Sequence, residues 1–127
     1  MGYAGLMRFE PAELVLLDET EEIEIETSPP GGAVHRTIIW VVVDGEDTFI
    51  RSVNGATARW YSEAVANPEV TIHAGDHALA ARCVAAHDPV SVQRTSDALV
   101  RKYAADSALQ LMLVPETFET RLRVIPV

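Results

Sequence analysis

Apolar and polar positions alternate strictly over residues 22–27, Glu-Ile-Glu-Ile-Glu-Thr, which predicts a strand with one buried face and one acidic face in water. Ser28-Pro29-Pro30-Gly31-Gly32 follows, turn-forming chemistry throughout, and predicts an exposed loop. Residues 36–43, Arg-Thr-Ile-Ile-Trp-Val-Val-Val, are β-branched almost without interruption. That is the pattern of a strand covered on both faces, and it marks this run as the expected central strand. Asp44-Gly45-Glu46-Asp47 then turns the chain into residues 48–53, so the two runs read as an antiparallel hairpin. A second hairpin is expected from 69–73 and 79–86, turned at Gly75-Asp76, and alternation returns in a last strand at 120–125.

Helical periodicity occupies the gaps between these runs. Residues 11–17 begin with a proline suited to a first helical turn. Residues 58–66 can be capped by Thr57, place Tyr61, Ala64 and Val65 on one face, and stop at Asn67-Pro68. Residues 90–105 are amphipathic through Val92, Leu99, Val100 and Tyr103, and 108–113 add a turn or two before Pro115. About six short strands joined by hairpins, with few crossovers, predict a mainly β chain with flanking helices (α+β), closed as an antiparallel barrel rather than a doubly wound parallel sheet. With 127 residues and no internal repeat, the chain is expected to form one domain, 1–127, in which 1–20 cap the barrel and 21–127 build it.

Composition narrows the partners. Ten basic against nineteen acidic side chains give a formal net charge of −9, a field that repels nucleic-acid phosphates and anionic lipid. Much of it comes from Asp18, Glu19, Glu21, Glu22, Glu24 and Glu26, which read as a solvated acidic face. No run approaches the ~20 apolar residues of a membrane-spanning helix, since 38–43 is stopped by Asp44. Residues 1–8 lack the basic start and apolar core of a secretory signal, so a cytoplasmic location is expected. Cys83 stands alone, which excludes an internal disulfide and predicts a buried thiol. His35, His73, His77 and His87 have no compact metal-ligand spacing, although 73 and 87 could meet in space; no metal is expected. Ser52 lacks a nucleophile elbow, Gly31-Gly32 is not a phosphate loop, and Asp44, Glu46 and Asp47 do not make a calcium loop.

One stretch concentrates binding chemistry. A ligand with a phosphate and a flat ring needs cations and donors, strand N–H and C=O groups for the polar ring edge, and apolar walls. Arg36 begins one run, Arg51 and Ser52 end its partner, and Arg59 lies in the first turn of the next helix. Residues 53–57 lead into that helix N-terminus, where unpaired N–H groups favour an anion, and Gly55 permits close backbone approach. Trp40, Trp60 and Tyr61, three of the five Trp and Tyr residues, could wall a ring. Each feature also has a structural explanation: the arginines can pair with abundant carboxylates, Trp40 and Tyr61 can be core, and Asn54-Gly55 is a common turn.

The order Arg36-Thr37-Ile38-Ile39-Trp40, hairpin, Phe49-Ile50-Arg51-Ser52-Val53-Asn54-Gly55, Arg59-Trp60-Tyr61, Asn67-Pro68-Glu69-Val70-Thr71-Ile72 resembles the deazaflavin-dependent nitroreductase family, and a small branch of it most. More distantly it is similar to the pyridoxamine 5'-phosphate oxidase superfamily of FMN-binding split β-barrels. The resemblance spans 22–86 and implies a split β-barrel in which Arg36 and Arg59 bind the cofactor phosphate. Ser52, Asn54 and Gly55 would donate to phosphate or ribityl oxygens, while Ile38, Ile39 and Trp40 line the ring edge; Arg51 and Trp60 complete the candidate set. It also implies a homodimer with the site at the subunit interface. The basic loop usual in such nitroreductases is replaced here by Ser28-Pro29-Pro30-Gly31-Gly32-Ala33-Val34-His35, which leaves FMN, the deazaflavin coenzyme F-420 and no cofactor all open. The expected activity is a flavin- or deazaflavin-dependent oxidoreductase passing hydride or electrons to a small molecule, with no catalytic side chain singled out. The alternatives are a non-catalytic split barrel that binds a small ligand or partner, and a haem-handling barrel with a histidine facing its cavity.

Overall fold

The computed structural model describes residues 8–86 and 88–127. The first seven residues of the expected 1–20 cap, and His87, lie outside the described residues. The order of elements is α1 (Pro11–Glu19), β1 (Ile23–Thr27), β2 (His35–Ile39), β3 (Val41–Asp44), β4 (Asp47–Ile50), a 3-10 turn (Gly55–Thr57), α2 (Arg59–Ala66), β5 (Glu69–Ala74), β6 (His77–Ala85), α3 (Pro89–Tyr103), α4 (Leu109–Met112), a second 3-10 turn (Pro115–Thr120) and β7 (Leu122–Pro126). The strands form one antiparallel sheet in the order β2-β1-β5-β6-β7-β4-β3. This is a mainly β split barrel with flanking helices, as expected, although it has seven strands rather than six.

The additional strand corrects the expected central strand. Residues 36–43 do not run through the middle of the sheet; the chain breaks at Trp40 into β2 and β3, which occupy its two opposite edges. Ile39 and Val41 are two Cα steps apart, at most about 7.6 Å, so both edges of the sheet must come together at this point. The sheet therefore curls nearly into a cylinder and stays open between β2 and β3. The break has a side-chain cause. The Trp40 ring stacks on Tyr103 of α3, with centroids 3.9 Å apart and planes within 6°. The Val41 carbonyl accepts from Lys102 Nζ at 2.7 Å, so α3 holds main chain that a continuous strand would have kept.

The β-branched run is covered on both faces only in its second half. Val41 and Val42 are each 1% exposed; Val41 faces the barrel core with Ile23, Ile25, Ile50 and Ile72, and Val42 faces a second cluster with Phe49, Leu99 and Met112 under α3 and α4. In β2, by contrast, only Ile39 is buried, and Ile38 is 61% exposed. β1 keeps the predicted alternation, with Ile23, Ile25 and Thr27 inward. The β3–β4 turn carries Gly45 at φ 62°, a left-handed conformation that favours glycine.

Helix boundaries shift slightly. α2 begins after Ala58, with no side-chain cap; Thr57 lies in the preceding 3-10 turn and donates instead to the Asn54 carbonyl. Its inward face is Trp60 and Ala64, with Tyr61 packed alongside, while Val65 faces out at 54% exposure. α3 is capped by Asp88, which accepts from the Ser91 amide at 2.9 Å.

Cys83 points into the barrel core and burial pushes its thiol up to about 12. A thiol reagent at pH 8 is therefore expected to leave the folded chain unlabelled and to modify one site per chain in denaturant. Rapid labelling of native protein would show that β6 is not packed as described.

Candidate functional site

Where the barrel stays open, the chain leaves a cleft of about 380 Å³. Its first wall is β2 and the break after it: Thr37, Ile38, Ile39 and Trp40. Arg51, Val53 and Asn54, which follow β4, form the second, and Trp60 of α2 and Ala108, Leu111 and Met112 around α4 complete it. Glu22 and Asp106 supply carboxylates to the lining. Because β2 is an edge strand bonded only to β1, its outward N–H and C=O groups have no sheet partner. Its place at the edge, not the centre, of the sheet thus leaves main-chain donors and acceptors open to a ligand.

Arg51 is the one cation lining the cleft among the described residues, and it is 1% exposed. Its Nη1 donates to Met112 O at 2.8 Å and Ser96 Oγ at 3.1 Å, and Nη2 to Val92 O at 3.1 Å. The guanidinium also lies 4.9 Å from the Phe118 ring centroid. It has no carboxylate partner among the described residues, and its Nε has no acceptor there. Burial, with the nearby Arg121 charge, pushes it down to about 10. Thr37 Oγ1, also on the lining, is buried without a partner among the described residues.

Of the sequence candidates, Ile38, Ile39, Trp40, Arg51, Asn54 and Trp60 come together in this cleft. Ser52 is buried beside it; its amide donates to Thr120 Oγ1 at 3.1 Å, and its own hydroxyl has no partner among the described residues. Gly55 opens the 3-10 turn at φ 66°, and a Cβ there would come within 3.4 Å of the Glu116 carbonyl. Arg36 and Arg59 are not in the lining. Arg36 pairs with Glu24 at 2.7 Å across the β1–β2 ladder. Arg59 reaches Glu63 at 3.8 Å with its side chain 58% exposed, a contact loose enough for water to compete. Tyr61 donates to the Glu119 carbonyl at 3.2 Å rather than facing the cleft.

Glu63 is the hub beneath this loop. It accepts from Thr27 Oγ1 at 2.6 Å and lies 3.0 Å from His35 Nδ1, and these contacts, Thr27 first, hold its carboxyl below the usual range. The described histidines are all engaged or exposed: His35 meets Glu63, His73 meets Glu26 at 2.8 Å, and His77 faces solvent. None of them lines the cleft. No group of three or more His, Cys, Asp or Glu among the described residues could hold a metal ion, and no described helix is long and apolar enough to cross a membrane.

The residues that sequence reasoning missed are Thr37, Val53, Glu22, Asp106 and the α4 wall. Thr37 and Val53 sat inside the recognised stretch with no role attached. Asp106, Ala108, Leu111 and Met112 lie some fifty residues beyond it, and no local pattern announces that a four-residue helix folds back over Arg51.

Solved structures of similar fold support the split barrel. A candidate pyridoxamine 5'-phosphate oxidase from Listeria innocua superposes with a TM-score of 0.61 at 14% identity, over 91% of this chain and 90% of that one. An F420-H2 dependent reductase gives 0.62 at 15% identity, over 85% and 95%. The heme storage protein HutZ from Vibrio cholerae gives 0.58 at 16% identity, over 95% and 92%. At such identities the likeness is one of fold, and the three proteins are named for different functions. No curated protein matches the chain by sequence. Residues 13–124 match the family described as "Uncharacterized protein conserved in bacteria (DUF2255)", and the chain belongs to that family.

Proposed function

We propose that the cleft holds the ring of a flavin or deazaflavin and that the protein is an oxidoreductase. The observation that carries this is the pairing of flat aromatic and aliphatic walls, Trp40, Trp60, Ile38 and Ile39, with two buried polar atoms lacking partners among the described residues, Thr37 Oγ1 and Arg51 Nε. A heteroaromatic ring with acceptors and donors on one edge satisfies such atoms, and the open edge of β2 offers matching N–H and C=O groups. The phosphate would lie outside the ring pocket, against Asn54, Gly55 and the start of α2, where Arg59 is free to turn from its loose contact with Glu63. Arg36, held by Glu24, is the weaker phosphate candidate. Such a cofactor carries hydride or electrons, and the protein's part is to orient the ring and exclude water. That division of labour fits a lining with no paired acid and base suited to proton transfer.

The cleft of about 380 Å³ is small for a whole dinucleotide-sized or flavin mononucleotide ligand. Ile38, Leu111 and Val53, 61%, 58% and 43% exposed, form an apolar margin on it. A second copy of the chain laid over this margin would complete the enclosure, so a homodimer belongs to the same proposal.

Titration of the purified protein with FMN and with coenzyme F-420, followed by visible absorbance, tests it. At least one is expected to bind, and Arg59→Ala to weaken binding about tenfold or more, the worth of one charge-assisted phosphate contact, while Arg36→Ala changes it little. If neither cofactor binds, the oxidoreductase assignment falls; binding without turnover of any reductant would leave a non-catalytic ligand-binding barrel.

A further inference from the structure

Resting on the assignment of the cleft as a ring site, we propose that Arg51 makes it a receptor for planar ligands whose inner edge is anionic, selecting them over neutral rings of the same shape. A guanidinium has five N–H donors, and here three are taken by uncharged acceptors, the Val92 and Met112 carbonyls and the Ser96 hydroxyl. Those bonds fix the group in place without neutralising it. Buried arginines ordinarily meet a carboxylate, because an uncompensated charge out of water is costly. The chain has nineteen acidic residues, yet none pairs with Arg51 among the described residues. The contrast with Asp47 is direct: that single carboxylate takes Arg8, Arg94 and Arg123, while Arg51 takes no carboxylate.

Arg51 is also the one cation on the lining among the described residues, and its Nε–H and one Nη2–H are left without acceptors there. An anionic edge arriving in the cleft would supply the missing charge and, as the wall yields to bare the guanidinium, the missing acceptor. Arg121, whose charge acts on Arg51, is itself buried and positive, which adds to the attraction for an anion rather than cancelling it. The two lining carboxylates oppose free anions: Glu22 is exposed, and Asp106 is partly satisfied by the Ala108 amide at 2.8 Å. Selection must therefore come from a ligand with a flat body that the walls can hold, its charge confined to the edge that meets Arg51. The ligand class is aromatic acids and heteroaromatic rings that carry an acidic or enolate-type edge.

The chain has two tryptophans, and both line the cleft, so indole fluorescence reads occupancy of this site. Full-length protein titrated with benzoate and with benzamide compares one shape in two charge states. Benzoate is expected to bind at least about tenfold more tightly than benzamide, and the ratio to fall to about one in Arg51→Met and to persist in Arg51→Lys. If Arg51→Met fails to fold by circular dichroism, Arg51→Gln, which keeps an amide donor for the Met112 carbonyl, replaces it. Equal affinity for the two probes in the wild type, binding of neither, or a preference that survives loss of the Arg51 charge would overturn the proposal. FMN and F-420 titrations on the same preparation separate the two ideas. Cofactor binding without probe preference removes the role of Arg51 alone, whereas probe preference without cofactor binding removes the oxidoreductase and leaves an aromatic-acid receptor.

Discussion

Replacing Asp47 by alanine is expected to destabilise the protein by about 3 kcal/mol, the largest loss for any single surface-adjacent side chain here. Asp47 opens β4, immediately after the Asp44-Gly45-Glu46 turn, and its side chain is 7% exposed. Three guanidiniums from distant parts of the chain converge on its two oxygens. Arg8 Nε reaches Oδ1 at 3.2 Å and Arg94 Nη1 of α3 reaches Oδ2 at 2.9 Å; Arg123 of β7 shares Oδ1. Burial alone would raise the carboxyl, but Arg123, Arg94 and Arg8 together outweigh it and hold it below its ordinary value of 3.8. Alanine strips Arg123 of its carboxylate and leaves Arg94 to Asp44 and Arg8 to Glu46; because the three side chains are each about a third exposed, water relieves part of the cost, which sets the figure at the lower end for a broken buried pair. The sign with pH follows. A carboxyl whose folded value is depressed adds stability above the unfolded value of 3.8, and that stability is lost as pH falls through the folded value. Urea unfolding at pH 7 should separate wild type from Asp47→Ala clearly, and the gap should shrink on acidification below about pH 4. A gap that stays constant to pH 2 would mean that the cluster contributes through packing, not charge.

The cluster also shows what a single sequence conveys. Asp44-Gly45-Glu46-Asp47 was legible as a turn, because glycine and acidic residues between two apolar runs have few other uses. That its last member collects arginines from residues 8, 94 and 123 was not, since contacts between residues tens of positions apart leave no periodicity. The same division runs through the fold. β1, the β5–β6 hairpin, α3 and β7 follow from alternation and helical spacing, and each matches its prediction within a few residues. The run 36–43 misled because an edge strand with an exposed isoleucine and a two-faced buried strand present the same β-branched letters. In the cleft, Trp40, Arg51, Asn54 and Trp60 were within reach of sequence reasoning because they cluster in one stretch. The lid over Arg51 was not, because α4 is too short to carry a periodic signal.

Substituting Trp40 by alanine should cost about 2–3 kcal/mol of stability and also abolish most ligand binding in the cleft, because the ring serves both the stack and the wall. Trp40 is the single residue between the two sheet edges, stacked at 3.9 Å on Tyr103. The Tyr103 hydroxyl in turn donates to the Glu21 carbonyl at 2.6 Å, so the stack ties α3 to the start of β1 as well as to the strand break. Lys102, next to Tyr103, donates to the carbonyls of Leu17, Thr20 and Val41, and keeps the break in place when the indole is removed. The expected cost is therefore that of a partly buried aromatic and its stacking partner, below the ~3–5 kcal/mol of a fully enclosed tryptophan. Trp40→Phe restores an apolar ring over Tyr103 and should recover most of the stability. Its effect on binding separates two uses of the side chain: if the cleft needs only a flat wall, phenylalanine recovers affinity along with stability. If affinity stays low while the melting temperature recovers, the indole contacts the ligand through more than its face. Should Trp40→Ala prove as stable as the wild type, Lys102 and the Tyr103 hydroxyl hold the split barrel open without the stack, and the aromatic pair belongs to the ligand alone.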